Sequence, residues 1–477
     1  MKIAFAASEA APFIKTGGLG DVAQALPLAL SKIPGVEVLL FLPYYGKMKR
    51  EGSFSAELIE EFELSLSWRR QYVGLYRVRS RKRKLKVFLI DNEYYFDREP
   101  IYGALDDGER FAFFSKAILE CLCRLGEKPD IIHANDWQTA LIPCLLHGFY
   151  EESLGSAKTV FSIHNIEYQG WVHPYFLGDV LGLGTEYDDV FRFDGSHNLM
   201  KSAVLCCDAL TTVSRTYARQ IMEPYFAHGL DGVMRDHSFK ISGIVNGIDF
   251  ASNDPMTDPG LPVPYGPENA LEGKRAAKAA LQKELGLAPD PDVPLIGMVS
   301  RLVSHKGLEI LVPALEELMD WNVQIAIVGT GDRDFEEALS ALAARHPKRF
   351  CASICFSRAL GSRIYAAADL YLMPSKSEPC GLSQMIAMHY GTVPVVHETG
   401  GLKDTVTPFD PETGEGLGFS FSRFTKEDLL DALRRALHVY GGLPEAWKRV
   451  VHNGMTADFS WDSPAKEYLS LYENLLS

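Results

Sequence analysis

FIKTGGLGDVAQAL, residues 13–26, sets a lysine and three glycines between an apolar run and an amphipathic one. The run before it, KIAFAAS at residues 2–8, is short and apolar with a polar exit, as a buried strand would be. A helix is predicted to start near Gly20 and Asp21 and to carry Ala23, Leu26 and Leu30. Glycine lets backbone approach a ligand closely and adopt positive φ. A helix start offers unpaired N–H groups and a positive dipole end to an anion. The string is neither the dinucleotide fingerprint nor the P-loop. Two readings therefore fit: a tight turn beside a solvated Lys15, or an anion site built on Gly17 and Gly18.

The same strand, loop and helix rhythm continues along the chain. Strands are predicted at 36–42, 86–90, 130–133, 159–163 and 209–213. Residues 251–293 interrupt it with ASNDPMTDPGLPVPYGP, a charged helix over 268–285, and APDPDVP. The rhythm then resumes, with strands at 295–300, 324–328, 353–356, 370–373 and 393–396. Helices are predicted at 307–317, 334–344 and 382–390, and the stretch 464–476 is amphipathic. Short apolar strands alternating with helices imply an α/β protein with doubly wound parallel sheets. At 477 residues the chain exceeds one compact core. The reading is two domains, 1–245 and 246–455, with a closing segment 456–477. Ligands of such sheets lie beyond the carboxyl ends of the strands.

Composition narrows the function. A net charge of −14 argues against nucleic acid or an anionic membrane as partner. Any anionic ligand must then be held by a few local cations. The eight cysteines form no zinc spacing and suit a reducing cytoplasm. No run resembles a signal peptide or a membrane span, so the reading is a cytoplasmic protein.

Polar clusters follow the predicted strand ends. HANDW (133–137) brings His133, Asn135, Asp136 and Trp137, with Asp136 either a helix cap or a sugar ligand. SIHNIEYQGW (162–171) brings His164, Asn165, Tyr168 and Trp171, groups of the kind that grip sugars. Ser214 in TTVSRTYARQI reads as a helix cap, and Asn246-Gly247 as a turn or hinge. VSRLVSHKGLEIL (299–311) supplies Arg301 and Lys306, the local cations a diphosphate needs. In SKSEPCGLSQM (375–385), Ser375, Glu378, Cys380, Gly381 and Leu382 precede a helix, with Glu378 either a first-turn acid or a site residue. VGTGDRDF (328–335) and ETGGLKDTV (398–406) add further glycine turns.

Taken together, KTGGLGDV, HANDW, SIHNIEYQG, SRLVSHKGL, SEPCGL and DFSW, in this order, resemble glycosyltransferase family 5, the bacterial glycogen synthases and plant starch synthases. The resemblance implies a GT-B fold, two Rossmann-like domains facing a deep cleft. The N-terminal domain would serve acceptor and catalysis, and the C-terminal one would bind the nucleotide sugar. Segment 456–477 would pack back toward the N-terminal domain. The implied reaction moves glucose from ADP-glucose to the non-reducing end of an α-1,4-glucan such as glycogen, with retention and without a metal. Glu378, His164, Asp136, Lys306 and Arg301 would then be catalytic. Lys15, Gly17, Gly18, Asn165, Asn246, Ser375, Cys380, Gly381 and Leu382 would bind substrate. Alternatives are a UDP-sugar transferase or epimerase of the same fold, or a non-catalytic glucan-binding relative.

Four positions in three motifs depart from the family pattern. His305 stands for the usual Gln before the lysine, and Asn135 for the second histidine of H-A-H-D-W. Cys355-Phe356 stands where Gly-Tyr is common, so base recognition is the point at which ADP and UDP donors are expected to divide.

Overall fold

The computed structural model describes residues 1–52, 54–79 and 84–477. These fall into two compact units, one of Met1–Ile244 with Trp461–Ser477 and the other of Val245–Ser460.

The strands of the first unit are β1 (Lys2–Ala6), β2 (Glu37–Pro43), β3 (Ala56–Leu66), β4 (Arg69–Val78), β5 (Leu85–Asp91), β6 (Ile131–Asn135), β7 (Lys158–Ile163), β8 (Trp171–Val172), β9 (Arg192–Phe193), β10 (Ser196–Asn198), β11 (Ala209–Thr212) and β12 (Ile241–Gly243). Nine of them form one sheet in the order β12-β11-β7-β6-β1-β2-β5-β4-β3. From β12 to β5 the pairs are parallel. These central strands read as unbroken apolar runs because both faces are covered: Ile3, Phe5, Leu39, Phe41 and Ile131 are all buried. At one edge the parallel sheet is extended by antiparallel strands. There β3 and β4 form an antiparallel hairpin that joins β5, also antiparallel. β8, β10 and β9 make a separate small antiparallel sheet.

Order along the large sheet reverses beside β1. The chain moves from β1 outward through β2 to β5, then returns to β6 on the other side. This is the topological switch point, where the ends of neighbouring strands splay and leave a crevice. Helix Gly18–Lys32 follows β1, and helix Asp462–Leu476 packs against it. The latter buries Tyr468 and Tyr472, and Tyr472 Oη lies 2.7 Å from His133 Nδ1.

In the second unit the strands are β13 (Leu295–Val299), β14 (Gln324–Gly329), β15 (Phe350–Ile354), β16 (Leu370–Met373), β17 (Val393–His397) and β18 (Phe419–Phe421). They form one parallel sheet in the order β15-β14-β13-β16-β17-β18, with its switch point between β13 and β16. β15 begins at Phe350, three residues before the sequence expectation, which leaves Cys355 and Phe356 in a loop with Phe356 fully exposed. Helix Ala270–Leu285 precedes the sheet and inserts Lys274 and Lys278 into the interior. Lys274 Nζ donates to two carbonyls and to Thr392 Oγ1, and Lys278 pairs with Asp369 at 2.6 Å. Burial lowers the Lys274 amine to about 7.

Candidate active-site residues at the two switch points

In the first unit the ends of β7, β6 and β1 lie side by side, so His164, Asp136 and Glu9 become neighbours although far apart in sequence. Asp136 has a left-handed backbone (φ +57), unusual for a residue other than glycine. Its carboxylate caps no helix. It accepts instead the His164 N–H at 2.7 Å and the Asn165 N–H at 3.5 Å, which ties the β6 end to the β7 end. Burial raises the Asp136 carboxyl to about 7, against the pull of those two N–H groups, and the charge of Glu9 adds to the rise.

The His164 ring is fixed from the same strand end. Its Nε2 donates to Asn135 Oδ1 at 2.9 Å, and Asn135 Nδ2 donates to the Ala6 carbonyl at 3.0 Å. A carbonyl oxygen only accepts, so the proton resides on Nε2 and Nδ1 is left as an acceptor. Burial lowers the imidazole to about 4, which keeps it neutral near pH 7. Asn135, the departure from H-A-H-D-W, therefore orients a histidine. His133 has a different part: it is fully buried between Ser162 and Tyr472 and belongs to the core.

The glycine loop differs from the sequence reading in one respect. Glu9 lies at the end of β1, buried, and its carboxylate fills the mouth of the loop. It accepts from the Thr16 N–H at 2.7 Å, the Thr16 hydroxyl at 2.5 Å, the Gly17 N–H at 3.1 Å and the Gly20 N–H at 3.0 Å. The Gly17 N–H, part of the anion site that the sequence offered as one reading, is thus engaged by the protein's own carboxylate, together with that of Gly20. A negative charge at the first turn of the helix suits the dipole, whether it comes from a ligand or a side chain. Gly18 keeps open space where a side chain would be, and Lys15 is paired with Asp21 at 2.7 Å at the surface. Glu9 escaped sequence reading because it signalled only the end of an apolar run.

In the second unit the loops after β13 and β16 meet. Lys306 Nζ donates to Glu378 Oε2 at 2.6 Å, and the Ser375 hydroxyl donates to the same oxygen at 3.0 Å. Glu378 is buried and stands five residues ahead of helix Ser383–His389, so it is no first-turn acid. The Lys376 N–H donates to the His305 carbonyl at 2.9 Å, which joins the two loops by backbone. Gly307 (φ +81) allows this: a Cβ there would stand 1.9 Å from the Pro374 carbonyl oxygen. Arg301 is exposed, with Nη2 3.4 Å from His305 Nε2. The turn holding Gly329 and Gly331 buttresses the Arg301 loop through the Leu302 to Gly331 bridge.

The SEPCGL stretch is held from behind. The Gly401 N–H donates to the Glu378 and Pro379 carbonyls, and a Cβ on Gly400 would collide with the Glu378 carbonyl. Cys380 is buried and receives the Asn246 N–H; burial pushes its thiol up to about 12. Its side chain is packing, so the residue has only backbone to offer a ligand. Gly381 takes φ +74, and Gly381 and Leu382 are partly exposed. Asn246 Oδ1 is buried without a hydrogen-bond partner, a polar atom still open to a ligand. Among the described residues no group of three or more His, Cys, Asp or Glu side chains is arranged to hold a metal ion, and no helix is long and apolar enough to cross a membrane.

The chain resembles known proteins throughout its length. Residues 2–236 match the starch synthase catalytic domain family, and residues 283–451 match the glycosyl transferases group 1 family. It is 47% identical over 479 residues to a glycogen synthase of Streptococcus agalactiae, covering all of both chains. It is 44% identical over 481 residues to a glycogen synthase of Clostridium novyi, covering all of this chain and 99% of the other. Among solved structures, the catalytic domain of starch synthase IV from Arabidopsis thaliana, bound to ADP and acarbose, aligns with a TM-score of 0.91 at 34% identity, covering 100% of this chain and 99% of that one. With two switch-point sheets in separate units and these likenesses, the chain belongs to the glycogen synthase and starch synthase family of enzymes and has their two-domain GT-B glycosyltransferase fold.

Proposed function

We propose that this enzyme transfers glucose from ADP-glucose to the 4-hydroxyl at the non-reducing end of an α-1,4-glucan, with retention of the α configuration and release of ADP. The observation that carries the proposal is the Lys306–Glu378–Ser375 cluster at the β13/β16 switch point, with Arg301 exposed beside it. It supplies the local cations that a strongly acidic chain needs to hold a diphosphate. The likeness to a starch synthase solved with ADP supports adenine over uracil in the donor.

In this reading Arg301 and Lys306 stabilise the charge that builds on the departing diphosphate, each donor being worth about 3 kcal/mol in the transition state. Glu378 aligns the Lys306 ammonium and accepts a hydroxyl of the donor sugar. Asn246 and the backbone of Ser375 and of Cys380 to Leu382 complete the donor contacts, and Lys15 and Gly18 are substrate-binding residues of the first unit. Asp136, His164 and Asn165 serve the glucosyl and acceptor side. The acceptor attacks on the face the diphosphate leaves, and its hydroxyl proton passes to a phosphate oxygen. Neutral His164 accepts a sugar hydroxyl at Nδ1. No catalytic metal is part of this scheme, since the cations named supply the charge.

The test is transfer of labelled glucose onto glycogen from ADP-glucose and UDP-glucose in parallel, without added metal, with anomeric configuration read by NMR. Preference for ADP-glucose with an α product supports the proposal. Preference for UDP-glucose moves base recognition to the exposed Cys355-Phe356 loop and overturns the donor assignment.

A further inference from the structure

We propose that the first unit carries an aromatic track that holds the glucan chain away from its reacting end, running from Trp171 through Tyr175 to Trp68. The inference rests on the glucosyl-transfer reading above and names a second binding site for the same polymer.

The track begins next to the candidate site. Gly170 (φ +70) lies so close to the Trp137 ring that a Cβ there would stand 2.6 Å from it, and Trp137 follows Asp136 directly. Trp171 is therefore anchored one residue from a ring adjoining that carboxylate. Its indole is 48% exposed and leans on Phe193, with centroids 5.8 Å apart. Four residues on, within about 14 Å along the chain, Tyr175 is 79% exposed and stacks on His173 at 4.8 Å. One turn later the Asp179 N–H donates to the Tyr175 carbonyl, and Asp179 Oδ1 accepts from Trp68 Nε1 at 2.9 Å.

Trp68 belongs to the tip of the β3–β4 hairpin and is 72% exposed. An indole so open to water is normally mobile, and this one is held by two groups that are themselves paired. Asp179 holds its edge, the Arg69 guanidinium lies 4.3 Å from its centroid, and Arg69 pairs with Asp179 at 2.8 Å. The preceding Ser67 takes φ +53 and is pinned by its hydroxyl to the Gly178 carbonyl. Strain and polar ties spent on an exposed ring point to a ligand for its free face.

The chemistry favours carbohydrate. A glucan is neutral, with apolar C–H faces that lie on aromatic rings and hydroxyls that pair with carboxylate and guanidinium. Asp179 and Arg69 present both at the rim of Trp68. The acidic chain opposes nucleic acid and anionic lipid, which need a basic surface. Rings separated by residues and framed by charge also differ from the continuous apolar patch of a protein interface.

The experiment compares wild type with the Trp68→Ala/Tyr175→Ala double variant and with Trp171→Ala, in native gels cast with and without glycogen. KM and kcat are measured for glycogen and for maltotriose. The expected result is loss of retardation by glycogen and about a tenfold rise in KM for glycogen, with kcat on maltotriose unchanged in the double variant. The three rings are exposed, so melting temperatures should hold; Trp68→Phe, which keeps a face but loses the Asp179 bond, should fall between. Unchanged retardation and KM in the double variant overturn the track. Absence of glucose transfer by the wild type to either acceptor would instead overturn the reading of function, while the gels still test the track.

Discussion

Lys306 and Glu378 form a 2.6 Å ion pair across the switch point of the second sheet, joining the loop after β13 to the loop after β16. The pair is the centre of the proposed diphosphate site, and it is only partly buried on the lysine side. Lys306→Ala should therefore lower kcat by about 10²- to 10³-fold, the loss typical of a donor aimed at developing negative charge. Its melting temperature should fall by only a few degrees. Steady-state kinetics alongside thermal melts check this, and near-normal turnover in a well-folded variant would remove Lys306 from the leaving-group role.

Glu9 makes a different kind of prediction, because it reaches the reaction only through the loop it holds. Glu9→Ala leaves the N–H groups of Thr16, Gly17 and Gly20 without their acceptor, at a cost of about 1–3 kcal/mol for each group that water does not reach. The loop should loosen, so trypsin should cut after Lys15 faster than in wild type. KM for the donor should rise more than kcat falls. Glu9→Gln retains an acceptor oxygen and should recover part of both. Equal loop cleavage in wild type and Glu9→Ala would show that the carboxylate does not organise this segment.

Asp136 gives a pH dependence with a definite sign. Its folded-state carboxyl titrates near 7, against about 3.9 in an unfolded chain. Below pH 4 both states hold the proton and the group favours neither. Between pH 4 and 7 the unfolded chain ionises first, so this residue makes the fold progressively less stable as pH rises. Asp136→Asn keeps an acceptor for the His164 and Asn165 N–H groups and cannot ionise. Its melting temperature should approach or trail that of wild type near pH 4 and gain on it steadily up to pH 7. A constant difference over that range would place the Asp136 pKa elsewhere.

Asn135 should matter to turnover through His164. Asn135→Ala removes the acceptor for Nε2–H and frees the ring to turn or change tautomer. We expect kcat to fall about tenfold or more with KM for the donor little changed, in line with misplacing a positioned group. Asn135→Asp, which keeps the acceptor, should recover activity and raise the pKa of His164, read from the imidazole resonances by NMR.

Much of this was legible in the sequence where burial covers both faces of a strand. The runs at 370–373 and 393–396 announce β16 and the body of β17 because nothing polar interrupts them. β3 and β4 were not legible: AELIEEFELSL and RRQYVGLYRV carry charge on most of their outward positions, as a solvent-facing hairpin does, and look like neither core strand nor helix. The site followed the same division. Arg301, Lys306, Glu378 and His164 stand in loops directly after strands, where the motifs pointed. Glu9, Asn135 and the Trp68 hairpin take their meaning from partners several to more than a hundred residues away. Cys380 shows the limit from the other side: the motif marks the residue, but only the structure shows that its side chain is buried, which leaves its backbone for a ligand.

The packing of Asp462–Leu476 against Gly18–Lys32, with Tyr472 bonded to His133 in the interior, bears on biosynthesis. The first unit draws its core from both sides of Val245–Ser460, so it cannot close until that whole stretch has been made and Tyr472 has left the ribosome. Until then the nascent sheet keeps an unfilled apolar face and a histidine lacking one of its two partners. A chaperone that shields such a face should be found on ribosome-bound chains halted before residue 461, and released from those extended past the helix.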